Sequence, residues 1–138
     1  MLENLVVGYD GSGPSKRAFQ HALELARRFG AHLWIVAVVQ VPEPAITTEV
    51  EGIIDLENER LKPVFQELAV EARAAGVEIE TESVVGHPAE QLIHYAEGHN
   101  ADLLVVGSRG RSRLKRWMLG SVSERVLRYA SCSVLVIR

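Results

Sequence analysis

Two glycine-marked turns within residues 107–123 carry the residue types best suited to chemistry. Gly107 and Gly110 directly follow an apolar run, and Gly120, which is expected to lie outside the core, precedes a segment with helical spacing. Glycine lets a ligand approach the backbone closely, and the carboxyl end of a buried strand is where α/β sheets bind ligands. The arrangement therefore predicts a phosphate-binding site.

The second turn leads into a predicted amphipathic helix. Ser121 is followed three residues later by Glu124, as in a capping box, and an apolar stripe continues from there. The free N–H groups of the first helical turn, around Val122 and Ser123, would attract an anion with the help of the helix dipole. The hydroxyls of Ser121 and Ser123 would supply further donors.

A basic stretch joins the two turns. We expect most of its cations to lie on the solvated surface and one or two of them to reach phosphates. Trp117, in the same stretch, is predicted to anchor it to the body of the protein, with a partner surface as the alternative. The cations are Arg109, Arg111, Arg113, Lys115 and Arg116.

Length and composition limit the class of protein. A chain of 138 residues, 47% hydrophobic and 24% charged, is predicted to form one soluble globular domain over residues 1–138. No apolar run approaches the roughly 20 residues of a membrane span, and residues 1–10 lack a signal-peptide pattern, so we expect a cytoplasmic protein without a membrane partner. The net charge of −3 argues against nucleic acid as a partner. The single cysteine, Cys132, is predicted to be buried and unreactive.

Strand-like and helix-like segments alternate along the chain. Helices are predicted to start near Pro14, to run through Pro63 as one kinked helix, to begin at residues 86–88 and to follow Gly120. Phe29 is expected on the buried face of the first helix. This alternation predicts a parallel sheet with right-handed crossovers and helices on both faces. Strands are predicted at residues 5–7, 33–39, 77–85, 102–106 and 134–137.

Asp10 follows the first predicted strand directly. Its carboxylate could cap the turn into the first helix or face a ligand at the carboxyl edge of the sheet, and the residues alone leave the two roles open.

At these residues the chain resembles the universal stress protein family. ATP-binding members carry glycine, two residues, glycine, nine residues, glycine and then serine or threonine. Gly107, Gly110, Gly120 and Ser121 match that spacing without insertion. The opening VVGYDGS and the closing SCSVLVIR segments also resemble the family.

The resemblance implies a specific architecture and ligand. The fold would be an open five-stranded sheet of order 3-2-1-4-5, with ATP, ADP or AMP bound at the switch point between strands 1 and 4. Mg²⁺ would accompany the phosphates, with Asp10 contacting the ribose or the Mg²⁺ through water, and the main chain at Val38, or at Val39 if the register slips, would meet adenine. No catalytic residue and no direct metal ligand is assigned. The implied nucleotide-binding residues are Tyr9, Asp10, Val38, Gly107, Arg109, Gly110, Gly120, Ser121, Val122 and Ser123.

The last strand is the expected site of contact with a second copy of the chain. Ser133–Ile137 is apolar and lacks lysine, proline and internal charge, and in the 3-2-1-4-5 order it lies at a sheet edge. Together with the family's dimers, this predicts a homodimer through that strand, with a loop that covers the edge as the alternative.

Three hypotheses about function follow. The chain is predicted to be a regulatory ATP-binding protein of a stress response. A slow ATPase or phosphotransferase is the second hypothesis, against which stands the lack of any acidic residue other than Asp10 at the predicted site. An interaction module without nucleotide is the third, and the intact motif speaks against it. The P-loop, GxGxxG and GxSxG patterns are all absent from the sequence.

Overall fold

The computed structural model describes residues 1–42, 47–110 and 118–138. Within these ranges five strands and four helices alternate, as the sequence predicts. None of the helices described is both long and apolar enough to cross a membrane. The elements are β1 (Asn4–Gly8), α1 (Gly13–Phe29), β2 (His32–Val39), α2 (Thr47–Ala74), β3 (Ile79–Val85), α3 (Pro88–Gly98), β4 (Leu103–Gly107), α4 (Ser121–Tyr129) and β5 (Ser133–Ile137).

The sheet has the order β3-β2-β1-β4-β5, and each pair of neighbours is parallel. This confirms the predicted order. Leu5 of β1 is level with Leu33 on one side and with Leu103 on the other, so β1 lies at the centre. Along the chain, β2 and β3 extend the sheet on one side of β1, and β4 and β5 then extend it on the other side. The carboxyl ends of β1 and β4 therefore meet at the switch point, where such sheets leave a crevice.

Helices cover both faces of the sheet, which explains why the central strands are apolar without alternation. Val6 and Val7 point to opposite faces, and both are completely buried. Val7 packs in the cluster that contains Phe19 of α1 and Leu68 of α2, whereas Val6 packs in the cluster that contains Leu92 of α3.

The first helix has conventional ends. Ser12 is its N-cap, and the Ser12 side chain accepts a hydrogen bond from the Ser15 N–H at 3.3 Å. Gly30 ends the helix with φ of 64°, a conformation that favours glycine. The expected burial of Phe29 is wrong, since this side chain is 57% exposed. A helix of 17 residues is about 25 Å long and a strand of 5 residues about 17 Å, so the last turn extends past β1.

The residues on both sides of Pro63 belong to one helix, which confirms that part of the prediction. The third strand begins at Ile79, two residues later than predicted. Val77 instead lies in the turn that follows α2, where its N–H donates to the Ala72 carbonyl at 2.9 Å. Cys132, before β5, is only half-buried, and that burial raises the pKa of its thiol.

Candidate functional site

A cavity of about 680 Å³ lies at the carboxyl edge of the sheet, beside the ends of β1 and β4. Its walls come from the ends of these two strands and of β2, from the first turns of α1, α3 and α4, and from one face of α2. A concave site of this size suits a small-molecule ligand.

The fold brings nine of the ten predicted site residues to this cavity. Residues from three strand ends and one helix start meet there although they are far apart in sequence. Ser123 is the exception, since it does not line the cavity. The nine are Tyr9, Asp10, Val38, Gly107, Arg109, Gly110, Gly120, Ser121 and Val122.

Asp10 forms the turn that leads into α1. One carboxylate oxygen, Oδ1, accepts the Ser12 N–H at 2.9 Å. The other oxygen, Oδ2, lies only 2.7 Å from the position that a Cβ would take at Gly110. The carboxylate therefore shapes its own turn and also lies against the first glycine turn, so the two roles left open by the sequence are compatible.

Gly107 is held in a packing contact. A Cβ at this position would lie 2.7 Å from the Pro14 Cβ and 2.9 Å from the Ser15 backbone nitrogen. The lack of a side chain lets the start of α1 pack directly against the end of β4. Glycine is therefore required here by tertiary packing in addition to any ligand approach.

The predicted capping box at Ser121 is wrong by one residue. Gly120 is the N-cap, without a side-chain cap hydrogen bond, and Ser121 is the first helical residue. The Gly120 N–H donates to the Ser108 carbonyl at 2.6 Å, and the Gly120 carbonyl accepts the Glu124 N–H at 3.0 Å. These backbone bonds start the helix one residue earlier than predicted. Glu124 is therefore one position past the site that a capping box requires.

Gly120 is buried, contrary to the expectation that it lies outside the core. A Cβ here would lie 3.0 Å from the Arg109 Cα and 3.4 Å from the Ser108 carbonyl oxygen. The two glycine turns are thus packed against each other.

The Ser123 hydroxyl does not face the cavity. The residue is only 2% exposed, and its hydroxyl lies 2.8 Å from the Ser108 carbonyl oxygen and 3.0 Å from that of Gly120. The prediction that this hydroxyl is a ligand donor is wrong, because both bonds lie inside the protein.

Charged residues of α1 and α2 also line the cavity, and the sequence did not point to them. Lys16 of α1 and Glu57, Arg60 and Glu67 of α2 line the cavity. Glu57 and Arg60 form an ion pair of 2.8 Å, and this hydrogen bond raises the pKa of Arg60. The α2 residues recur at helical spacing on one face, a signal that was available in the sequence but that does not say which face meets the ligand.

Tyr9 lines the cavity and is almost fully buried. Burial raises the pKa of its phenol, and the carboxylates of Glu71, Asp10 and Glu67 raise it further. The phenol therefore stays neutral at pH 7 and keeps its proton as a hydrogen-bond donor.

The remaining predicted features of the loop are only partly described. Arg109 lines the cavity, which fits its predicted role. Arg111, Arg113, Lys115, Arg116 and the proposed anchor Trp117 lie outside the described residues.

Fold and cavity together define an α/β protein that has a cavity at the switch point of a 3-2-1-4-5 sheet, where such folds bind ligands. The sequence matches the Universal stress protein family over residues 1–138, so the chain belongs to this family. This confirms the resemblance seen in the sequence.

Individual relatives agree over the full chain. A universal stress protein of Methanocaldococcus jannaschii is 37% identical over 142 aligned residues, which cover 100% of this chain and 83% of that protein. The structure of the universal stress protein UspA from Lactobacillus plantarum matches with a TM-score of 0.90 at 28% identity, covering 99% of this chain and 98% of that one. A universal stress protein in complex with cAMP matches with a TM-score of 0.74 at 33% identity, covering 99% of this chain and 97% of that one.

Proposed function

We propose that the protein binds an adenine nucleotide, with ATP and Mg²⁺ as the expected ligand, and that the bound nucleotide regulates its contacts in a cytoplasmic stress response. The observation that carries the proposal is the convergence of nine predicted nucleotide-binding residues on one cavity of about 680 Å³. The similarity to a family member in complex with cAMP supports the same ligand class.

The walls of the cavity suit the two halves of a nucleotide. Val38, Leu61 and Val64 provide an apolar surface for adenine beside the end of β2. The start of α4 and the cations Lys16 and Arg109 provide positive charge for phosphates.

Mg²⁺ fits the site only as a companion of the phosphates. Among the described residues, no group of three or more His, Cys, Asp or Glu side chains is placed to hold a metal ion. Asp10 lies beside the first glycine turn, and a single carboxylate with phosphate and water ligands is a usual setting for Mg²⁺.

Slow ATP hydrolysis is the second candidate. The structure adds one observation in its favour that the sequence did not provide. Glu57 and Glu67 line the cavity in addition to Asp10, so Asp10 is not the only carboxylate available to orient a water molecule.

Mass spectrometry of the nucleotide released from the purified protein tests both candidates. We expect an adenine nucleotide at a stoichiometry near one per chain. A constant ratio of ATP to ADP over time supports regulatory binding, and a falling ratio supports hydrolysis. Protein that releases no nucleotide and gives no calorimetric heat with ATP would contradict the proposal.

ATP affinity is expected to fall more steeply with salt than adenosine affinity. Lys16, Arg109 and the α4 N-terminus act on the phosphates, and salt screens such interactions when they are partly exposed. Titration calorimetry of both ligands over a series of sodium chloride concentrations measures the two slopes. Equal slopes would mean that the phosphates bind away from these groups.

We also propose that the protein is a homodimer joined through β5. This strand is at the sheet edge, and none of the described strands pairs with its outer side. The Ser108 N–H donates to the Ile137 carbonyl at 2.6 Å, so the main-chain groups of Ile137 and Leu135 face β4. In a parallel ladder the intervening residues face away, which leaves Val134 and Val136 to pair with a two-fold mate.

A Val136→Pro variant is expected to be monomeric with the fold retained, because proline removes a donor on the free side of β5. Leu135→Pro is the matched control, since it removes a donor to β4 and should destabilise the protein instead. Light scattering gives the mass, and circular dichroism checks the fold. A monomeric native protein, or a dimeric Val136→Pro variant, would refute the proposed interface.

A further inference from the structure

The backbone of Ser108 connects the two glycine turns. Its carbonyl accepts both the Gly120 N–H at 2.6 Å and the Ser123 hydroxyl at 2.8 Å. Its N–H donates to the Ile137 carbonyl at 2.6 Å. The first turn is thus attached to the sheet through β5 and to the start of α4 through two hydrogen bonds on one oxygen.

Ser123 supplies the only side chain among these bonds. Ser108 and Ser123 are 3% and 2% exposed, so neither has an alternative partner in solvent. The Ser123 hydroxyl has a single proton, which it shares between the Ser108 carbonyl and the Gly120 carbonyl at 3.0 Å. A buried hydroxyl that joins two loop segments rigidifies their relative position.

We propose that Ser123 is a positioning residue for the phosphate half of the nucleotide. It holds the first turn of α4 against the Ser108–Arg109 turn, so that the backbone N–H groups of both turns converge on the same anion without rearrangement. This inference rests on the proposed nucleotide binding. It gives Ser123 a role at the site through Ser108 and not through contact with the ligand.

The adenine half of the proposed site provides an internal control for the phosphate half. Val38 and Leu61 contribute from β2 and α2, away from the bonds that Ser123 makes. Loosening the two turns should therefore weaken the binding of a ligand that carries phosphates and leave a ligand without them unaffected.

The test compares Ser123→Ala with the native protein and with Ser83→Ala. Ser83 also donates an internal hydrogen bond, to the Asn58 Oδ1 at 2.7 Å, and does not line the cavity. By calorimetry we expect Ser123→Ala to bind ATP about fivefold more weakly, the effect of losing one hydrogen bond, with adenosine affinity unchanged within about twofold. Ser83→Ala should bind both ligands like the native protein. Ser123→Thr keeps the hydroxyl but adds a methyl group at a buried position, so it should lose less ATP affinity than Ser123→Ala.

Amide exchange provides a readout that needs no nucleotide. The Gly120 N–H should exchange faster by NMR in Ser123→Ala than in the native protein or in Ser83→Ala, because its bond to Ser108 loses its neighbour. Unchanged ATP affinity in Ser123→Ala, or an equal loss for ATP and adenosine, would overturn the inference. Native protein that binds neither ligand would instead overturn the proposed function. The phosphate role of Ser123 would be overturned with it, and the Gly120 exchange rate would then decide only whether the Ser123 hydroxyl holds the two turns together: a faster rate in Ser123→Ala supports this, and an unchanged rate overturns it.

Discussion

Replacing Gly120 with valine is expected to weaken ATP binding by about a hundredfold, the effect of losing one or two hydrogen bonds to a charged group. A Cβ at Gly120 would lie 3.0 Å from the Arg109 Cα, and valine adds two further carbons. The neighbour is backbone and cannot rotate away, so the start of α4 must move from the Ser108–Arg109 turn. The N–H groups of the two turns, which we propose to bind one phosphate, would then be displaced relative to each other.

The same substitution should also cost stability, because Gly120 is buried. Gly98→Val is the control, since Gly98 is the exposed last residue of α3 and a Cβ there meets nothing within 4 Å. Calorimetry should be done on samples that give native circular dichroism spectra. Native-like ATP affinity in folded Gly120→Val, with Gly98→Val unaffected, would falsify the assignment of this turn to phosphate binding.

Replacing Gly107 with alanine is expected to lower the free energy of unfolding by about 2 kcal/mol. The added Cβ would lie 2.9 Å from both the Pro14 carbonyl carbon and the Ser15 nitrogen, so β4 and the start of α1 must separate. Overpacking against backbone is costly because no side chain can rotate to relieve it.

Gly52→Ala is the matched control for this prediction. Gly52 lies within α2, and a Cβ there meets nothing within 4 Å, so alanine should raise the free energy of unfolding by about 1 kcal/mol through helix propensity. Urea denaturation of both variants measures the two opposite changes. A Gly107→Ala variant as stable as the native protein would contradict the packing account.

These substitutions show what the glycine spacing encodes. Gly107 lies against Pro14 and Ser15 of α1, Gly110 against the Asp10 carboxylate, and Gly120 against the Arg109 backbone. Each glycine allows one close approach between segments that build the cavity. The spacing therefore specifies a rigid arrangement of turns, and a rigid arrangement is what a preorganised anion site requires.

Helix α2 adds a contribution that the motif does not contain. Glu57, Arg60 and Glu67 bring charge of both signs to the cavity, and Glu67 raises the pKa of Tyr9 as well. Relatives that differ on this face of α2 would present the same turns with a different wall, which is a direct route to different ligand preferences within one fold.

The sequence by itself determined the alternation of strands and helices, the glycine turns and their position after β4, because hydrophobic period and turn residues are local properties of the chain. The strand order came from the resemblance, and the observed order β3-β2-β1-β4-β5 confirms it. Only the tertiary structure decided that Gly120 caps α4, that the Ser123 hydroxyl points inward to Ser108, and that Glu67 reaches the cavity. Each of these depends on contacts between segments far apart along the chain, where close packing of the turns outweighs the local capping preference of Ser121 and Glu124.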